Sequence, residues 1–168
     1  MKTLTTVLCA VALLAGCVTN KPVAEAPKVV VDGDQLQFRG DLAYFEGQPF
    51  TGGAVRKYEN GQKKVEGPYK DGKQHGLWTG WHKNGQKEAE QTYKDGKRDG
   101  LSTGWHKNGQ KRYEVTYKDG NKHGLYTLWH SNGQKKSERT YKDGLLHGLW
   151  TSWYENGQKQ YEGTNKDG

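Results

Sequence analysis

The sequence is poor in the residues that fill a thick protein core. Hydrophobic residues make up 32% of the 168 positions, with one methionine and three phenylalanines, which is too few for an interior between two packed layers. Tryptophan (6) and tyrosine (10) are abundant instead, so large rings are expected to supply most of the buried surface of a thin structure. A disordered chain, which low hydrophobicity with a net charge of +7 could also indicate, would lack such rings.

Cysteine is also scarce. Of the two cysteines, Cys9 lies in the apolar run Leu4 to Ala15, which follows the basic start Met1-Lys2. That run is far shorter than the ~20 residues of a membrane-spanning helix, and the pattern predicts a signal peptide over residues 1–16. Once it is removed, Cys17 is the only thiol, so neither an internal disulfide nor a cysteine metal site is expected.

The apolar run ends in the sequence LAGC, residues 14–17, which resembles the lipobox of bacterial lipoproteins. The resemblance implies that Cys17 is acylated and anchors the chain to a membrane; an ordinary secretory signal cleaved near Gly16 is the alternative. Residues 17–28 contain two prolines and no periodicity, which is typical of a flexible tether. Because Val18 rather than aspartate follows Cys17, the resemblance implies outer-membrane retention if the host is Gram-negative.

A strict repeat of 24 residues follows. Asn-Gly-Gln begins at Asn60, Asn84, Asn108, Asn132 and Asn156, Lys-Asp-Gly begins at Lys70, Lys94, Lys118, Lys142 and Lys166, and a further glycine recurs at Gly52, Gly76, Gly100, Gly124 and Gly148. Asn-Gly and Asp-Gly are strong hairpin signals, and a type I′ turn needs positive φ at both central residues. Each repeat is therefore predicted to contain two such turns and two strands, such as 86–94 and 97–107.

The predicted fold class is all-β, an elongated single-layer antiparallel meander of tandem 24-residue β-hairpin repeats with about ten strands. Residues 51–168 are expected to form five repeats. Residues 29–50 are expected to form an N-terminal capping hairpin that pairs 29–31 with 36–38, and its Pro49 would block an exposed edge. Turns separated alternately by nine and eleven residues predict a two-residue slip per repeat and a coiled ribbon, unless a bulge at Lys-Asp-Gly-Lys absorbs the difference.

Counting outward from the turn Asn84-Gly85 predicts which side chains share a face. Trp81 is placed opposite Glu88, and Leu77 opposite Thr92, on the same face. Because the pattern repeats, this face carries a row of leucines, namely Leu77, Leu101, Leu125 and Leu149. It also carries a row of tryptophans, which are the candidate ligand-binding residues: Trp81, Trp105, Trp129 and Trp153. The other face carries Trp78 and the tyrosines, where Gly80 and Gly104 leave room for rings, although a structural packing role explains the two glycines equally well.

The pattern G-x-W/Y-x-x-W-x-x-N-G-Q-K-x-x-E-x-x-Y-K-D-G, repeated over 51–168, resembles the MORN-repeat variant of bacterial YwqK-type antitoxins. The resemblance implies a single-layer antiparallel sheet with a binding or scaffold role, and a toxin as one candidate partner. Asp99 and Ser102 depart from the pattern, which has histidine and an aromatic residue there. No phosphate-binding loop and no carboxylate pair beside a nucleophile occur in the sequence, so neither catalytic residues nor a cofactor are expected.

The six histidines also follow the repeat. Equivalent positions lie about 9.6 Å apart in such a sheet, too far to share an ion whose histidine ligands lie ~2.1 Å away. No metal site is therefore expected, and the histidines are predicted to cover rings near the turns: His75, His123 and His147; His82, His106 and His130.

The charge is concentrated in the middle repeats, because residues 97–120 and 121–144 each carry a net charge of +3. An exported chain is not expected to meet nucleic acid, which leaves a protein, an anionic lipid or an anionic glycan as partners. Two functions remain open at this point: a lipid-anchored module for protein interaction at the cell envelope, and a cell-wall or glycan-binding lipoprotein that uses tryptophan and tyrosine as platforms.

Overall fold

A computed structural model describes residues 29–165, which excludes the predicted signal peptide, Cys17 and the predicted tether. The described residues form strands and one 3-10 helix, Gly33–Gln35. The strands are β1 (Val30–Asp32), β2 (Gln37–Arg39), β3 (Leu42–Phe45), β4 (Gln48–Pro49), β5 (Gly52–Lys57), β6 (Lys63–Lys70), β7 (Lys73–Gln74), β8 (Gly76–Trp81), β9 (Lys87–Lys94), β10 (Lys97–Trp105), β11 (Lys111–Lys118), β12 (Asn121–Trp129), β13 (Lys135–Lys142), β14 (Leu145–Trp153) and β15 (Lys159–Asn165). Within this part of the chain, no helix has the length and apolar character needed to cross a membrane.

Twelve strands form one open sheet. Its order is β1-β5-β6-β8 and then β9 to β15 in sequence, while the short β7 pairs with β6, and β2, β3 and β4 form a separate small sheet. Every pairing from β5 onward is antiparallel, and consecutive strands are neighbours because two-strand hairpins follow one another along the chain. The predicted all-β meander is confirmed, with twelve strands rather than about ten.

The N-terminal region differs from the predicted hairpin. β1 pairs in parallel with β5, with Val30 opposite Gly53, whereas β2 pairs with β3. The prediction that 29–31 and 36–38 pair with each other is therefore wrong. The physical reason is the intervening 3-10 helix, whose N-cap Asp32 accepts a hydrogen bond from the backbone N–H of Asp34 and which leads the chain into the small sheet. Pro49 lies in β4, an edge strand of that sheet, where its missing N–H is tolerated.

Within residues 29–165, the thick part of the structure is confined to this N-terminal end. The small sheet packs over the start of the large sheet and encloses one cluster of buried apolar side chains: Val31, Leu36, Ala43, Phe50, Ala54 and Tyr69, with Phe45 and Trp78 packed against it. Beyond β8, most apolar side chains are only partly covered and Val115 is the buried exception, 2% exposed. The repeats are therefore a single layer, as the composition predicted.

The two kinds of turn differ. At Asp95-Gly96 both residues have positive φ, 49° and 86°, and the other Asp-Gly turns match it, as type I′ requires. At the Asn-Gly turns only the glycine has positive φ. Gly85 has φ 83° and donates its N–H to the carbonyl of His82, so the central residues of the turn are Lys83 and Asn84. This is a type I turn followed by a left-handed glycine, and the type I′ prediction is wrong there.

The Asn-Gly turn also changes the register beyond it. Leu77 lies opposite Thr92, as predicted, but Trp81 lies opposite Lys87, because Glu88 is an extra residue in a β-bulge. The predicted pairing of Trp81 with Glu88 is wrong. A left-handed glycine after a type I turn adds one residue to one side of the hairpin, and the consequence is that Lys87 shares the face of Trp81.

The predicted slip between repeats is absent. In the pairing of β9 with β10, Arg98 lies opposite Tyr93 but Ser102 lies opposite Gln91, so a bulge of two extra residues absorbs the difference in strand length. This bulge contains Gly100, with φ 110°, and lies beyond the Lys-Asp-Gly-Lys turn. Gly124 and Gly148 lie in equivalent bulges, and equivalent residues of successive repeats therefore stay aligned across the sheet.

The turn glycines give a direct test of this geometry. Replacing Gly109, which has φ 85°, with valine is expected to lower the free energy of unfolding by more than about 1 kcal/mol, because a β-branched residue is strained in the left-handed region. The neighbouring Lys107→Ala is expected to change it by less than about 0.5 kcal/mol. Urea denaturation of both variants measures the difference, and equal small effects would contradict the turn geometry.

Candidate functional site

One side of the sheet, here called the tryptophan face, carries three parallel rows of side chains that run across the strands. The four predicted tryptophans lie in the first row, and each is partly buried. Lysines of the intervening strands alternate with them, since Trp81, Trp105, Trp129 and Trp153 pair with Lys87, Lys111, Lys135 and Lys159. The structure therefore brings the candidate residues together, although it places a lysine between successive rings.

Four lysines of this row form two contacts each. The Nζ of Lys87 lies 2.5 Å from the Oε1 of Glu90 and 5.8 Å from the centroid of the Trp105 ring. The same unit of lysine, glutamate and tryptophan occurs in successive repeats at Lys63, Lys111 and Lys135. An ammonium over an indole ring is favourable, so these contacts stabilise the packing of the repeats.

The second row alternates glutamate and threonine. Thr79 pairs with Glu66 on one side and Glu90 on the other, and the pattern continues to Glu162. The threonines of this row are 5–8% exposed: Thr79, Thr103, Thr127 and Thr151. The long lysine, tryptophan and glutamate side chains thus cover the small ones, and this row forms the closed centre of the face.

The third row alternates leucine and threonine and is open to solvent. Leu77, Leu101, Leu125 and Leu149 are 53%, 51%, 53% and 54% exposed, and each lies opposite a threonine of the next strand. Equivalent residues are two strands apart, so the row extends about 29 Å across the sheet. Scattered exposed leucines are ordinary, whereas an ordered apolar row on a flat face is a feature of interaction surfaces.

The histidines after the tryptophans lie at the Asn-Gly edge and link adjacent turns. The Nε2 atoms of His82, His106 and His130 lie 3.2, 3.0 and 3.0 Å from the carbonyl oxygens of Trp105, Trp129 and Trp153. Asn84 adds a hydrogen bond from its Nδ2 to the carbonyl of Lys107, 3.0 Å away. The sequence predicts that these histidines cover rings. It does not predict their contact with the backbone of the next repeat.

At the opposite edge of the sheet, the edge of the Asp-Gly turns, side-chain acceptors also link adjacent repeats. The backbone N–H of Asp95 donates to the Nδ1 of His75, and that of Asp119 donates to the Oδ2 of Asp99. Asp99 therefore replaces the histidine of the repeat without loss of the hydrogen bond. Within residues 29–165, no group of three or more histidine, cysteine, aspartate or glutamate side chains could hold a metal ion.

The other side of the sheet, here called the tyrosine face, begins with a chain of ring contacts that leads out of the core. Tyr69 and Trp78 meet edge to face at 5.0 Å, and Trp78 and Tyr93 at 6.3 Å. The prediction that glycine leaves room for a ring is confirmed at Gly104, where an added Cβ would lie 2.2 Å from the ring of Tyr113. It is wrong at Gly80, where the atoms within 4 Å of an added Cβ are backbone oxygens of Lys64 and Ala89.

Farther along this face, cations lie among the tyrosines. The Nη1 of Arg98 donates to the hydroxyl of Tyr117 at 3.2 Å, and the Nζ of Lys122 lies 4.5 and 5.0 Å from the ring centroids of Tyr126 and Tyr141. Hydrogen bonds to Tyr93 and Tyr117 raise the pKa of the Arg98 guanidinium. Burial raises the pKa of the Tyr69 and Tyr126 hydroxyls above their ordinary value.

These tyrosines predict a loss of stability in alkali. The folded chain holds the phenolic protons of Tyr69 and Tyr126 more tightly than the unfolded chain does, so stability is constant below the unfolded pKa of about 10 and falls as the pH rises through the folded pKa. Urea denaturation between about pH 8 and pH 11 measures this slope. It should be less steep in Tyr69→Phe and Tyr126→Phe, and an unchanged slope in both variants would contradict the assignment.

A pocket of about 420 Å³ lies on the tyrosine face, beneath the N-terminal cap. Its walls are largely apolar and include Leu36, Phe38, Tyr69 and Trp78. The charged side chain at its rim, Arg56, is already engaged, since its Nε lies 3.2 Å from Asp34 and its Nη2 donates to the carbonyl of Gly33. The volume is within the range of small-molecule sites, but the pocket offers no uncommitted charge.

Trp129 tests whether a ring of the tryptophan row has a packing role. The Nζ of Lys111 lies 5.6 Å from the Trp129 centroid, and a phenylalanine keeps most of the apolar area while it weakens the cation contact. Trp129→Phe is therefore expected to lower the free energy of unfolding by about 1 kcal/mol and to leave the affinity for a bound partner unchanged. Lower affinity at an unchanged melting temperature would instead identify the ring as a binding residue.

The fold and its repeated rows define a class: an open β-sheet repeat protein in which each unit contacts only its neighbours. A family model described as MORN repeat variant matches residues 54–71, 74–95, 98–119, 122–143 and 146–167. The chain belongs to this family and contains five tandem repeats of it over 54–167. The family is generally non-catalytic and is consistent with an interaction scaffold. A search of curated proteins gave no match at the threshold applied.

Proposed function

We propose that this MORN repeat protein is a lipid-anchored scaffold that binds another protein at the cell envelope through its tryptophan face. The observation that carries the proposal is the row of four half-exposed leucines, from Leu77 to Leu149. Protein interfaces combine an apolar centre with a polar rim. Here the leucine row supplies the apolar part, and the neighbouring glutamates and lysines supply polar groups beside it.

The same face favours a protein over a glycan. A sugar would stack on an exposed ring, but the rings of Trp81, Trp105, Trp129 and Trp153 each have a lysine ammonium within about 6 Å of the centroid. A sugar would have to displace that lysine and its glutamate partner. The leucines need no such displacement, and a partner's apolar side chains gain free energy when both surfaces leave water.

Photocrosslinking in cells tests this proposal. A photoreactive residue at Leu125 should yield a discrete protein adduct, whereas the same residue at Leu146 should not. Leu146 is a suitable control because it is partly exposed but pairs with Tyr141, on the tyrosine face. No adduct at either site, together with sedimentation of the full chain with purified peptidoglycan, would instead support the glycan-binding alternative.

The anchor is a separate part of the proposal and rests on Cys17 and the sequence LAGC. Acylation of Cys17 would hold the repeats near the membrane, with retention at the outer membrane in a Gram-negative host. Cys17→Ser is expected to abolish labelling by radioactive palmitate and to release the chain from the membrane fraction. Unchanged labelling and fractionation would contradict the anchor without affecting the binding face.

The resemblance to antitoxin repeats suggests one kind of partner, a toxin. If that is correct, the adduct formed at Leu125 contains a protein whose expression arrests growth, and co-expression of the present chain relieves the arrest. An adduct with a protein that does not affect growth would support the scaffold function and contradict the antitoxin role.

A further inference from the structure

We propose that the fourth and fifth repeats together carry a binding site for an oxyanion, a carboxylate or phosphate group, on the tyrosine face. The site is a pocket of about 400 Å³ whose walls include Lys136, Ser137, Arg139, Trp150, Ser152 and Gln160. Ser137, Arg139, Trp150 and Ser152 lie on the tyrosine face, opposite the leucine row, although Trp153 of the tryptophan row also lines the pocket.

The first observation is an unsatisfied hydroxyl. Ser137 is 4% exposed, and its Oγ has no hydrogen-bond partner. A buried polar group without a partner costs free energy, which makes such groups rare unless a water molecule or ligand completes them. Because Ser137 lines the pocket, a ligand there can supply the missing partner.

The second observation is positive charge that the protein does not neutralise. Among residues 29–165, neither Lys136 nor Arg139 forms an ion pair. The guanidinium of Arg139 lies 5.9 Å from the centroid of Trp150, and a planar guanidinium in this setting keeps its hydrogen-bond donors for a second partner. The acidic residue of the pocket, Glu155, lies 3.7 Å from the Nδ1 of His130, in the turn that follows β14.

The third observation is that the polar residues break the repeat. At the positions equivalent to Ser137, the other repeats have Val65, Ala89, Tyr113 and Tyr161; at those equivalent to Arg139, they have Gly67, Gln91, Val115 and Gly163; at those equivalent to Ser152, they have Arg56, Gly80, Gly104 and Leu128. The register then brings the substitutions together, because Ser137 pairs with Ser152 and Arg139 pairs with Trp150. Local departures that converge in space are typical of functional sites.

The chemistry of the ligand follows from these groups. Two hydroxyls donate hydrogen bonds, and a guanidinium offers paired donors that match the two oxygens of a carboxylate or phosphate. The Trp150 ring does not serve as a stacking platform, since one side is stacked on Tyr161 at 4.4 Å and Arg139 lies over the indole. The pocket therefore recognises a compact anionic group rather than a neutral ring.

The test is an NMR titration of the full chain in a non-ionic detergent, with acetate, inorganic phosphate and the neutral acetamide as probes. Saturable shifts of the Ser137 and Ser152 amides and the Arg139 Nε are expected for an anion, with a dissociation constant on the order of 1 mM or lower. Tighter binding of acetate assigns a carboxylate ligand, and tighter binding of phosphate assigns a phosphate ligand. Either result supports the site, whereas the absence of saturable shifts with both anions, or equal shifts with acetamide, overturns it.

Two variants complete the test. Arg139→Val introduces the residue that the third repeat has at this position, so the fold should be retained while affinity falls at least about tenfold. Arg112→Gln removes an arginine charge outside the pocket and should leave affinity unchanged. Equal effects of the two variants, or anion binding that survives in Arg139→Val, would show that the anions respond only to overall charge and would overturn the proposal.

Discussion

Phe50→Ala is expected to lower the free energy of unfolding by about 3–5 kcal/mol, the largest effect of any single change considered. Phe50 is 5% exposed, and its ring lies 5.9 Å from that of Phe45 and 6.0 Å from that of Tyr69. Its backbone also joins the cap to the first repeat, because its N–H donates to Ala43 and its carbonyl accepts from Gly72. Truncation leaves a cavity in the thick, N-terminal part of residues 29–165.

Amide hydrogen exchange together with urea denaturation measures this effect. Each repeat contacts only its neighbours, so the loss of protection is expected to be largest in β5 and β6 and smallest in β14. Phe38→Ala is the matched control, because Phe38 is 50% exposed and should cost less than about 1 kcal/mol. Similar effects of the two variants would contradict the position of the core.

Gly67→Ala is expected to cost about 2–3 kcal/mol through overpacking. A Cβ at Gly67 would lie 2.2 Å from the Trp78 ring, and that ring cannot easily move. Its Nε1 donates to the carbonyl of Pro68 at 3.0 Å, and Tyr69 packs against it edge to face. The alanine therefore forces either the indole or the strand to shift.

Gly80→Ala is the control for Gly67→Ala. Gly80 is a strand residue of the same face, and the nearest atom to its added Cβ is the carbonyl oxygen of Lys64 at 3.7 Å, an ordinary contact. Since the backbone there suits any residue, alanine should be neutral or stabilise the fold by about 0.4–1 kcal/mol through the unfolded state. Equal destabilisation by the two variants would mean that the ring contact is not the cause.

Much of the repeat architecture could be predicted because it depends on local signals. The Asn-Gly and Asp-Gly pairs place the turns between the strands of the repeats, and the two-residue period of a strand then places Leu77 opposite Thr92. The bulge at Glu88 could not be predicted from these signals, since Asn-Gly is compatible with both a type I′ turn and a type I turn with a left-handed glycine. That single added residue decides that Lys87 rather than Glu88 lies opposite Trp81.

The features that sequence reasoning missed depend on contacts between distant residues. β1 pairs with β5 because the 3-10 helix redirects the chain, and no local pattern encodes that pairing. Ser137, Arg139 and Ser152 look like unrelated departures in the sequence, and only the register of β13 with β14 places them at one pocket. Asp99 could have been recognised, because aspartate and histidine both supply a hydrogen-bond acceptor.

The most direct test of the scaffold proposal compares two leucine variants in their affinity for the protein crosslinked at Leu125. Leu125→Glu and Leu146→Glu introduce the same charge at two leucines, one in the leucine row and one on the tyrosine face. Leu125→Glu should raise the dissociation constant at least about tenfold at an unchanged melting temperature, and Leu146→Glu should leave the dissociation constant unchanged. Equal affinities of both variants and the unmodified chain would contradict binding through the tryptophan face.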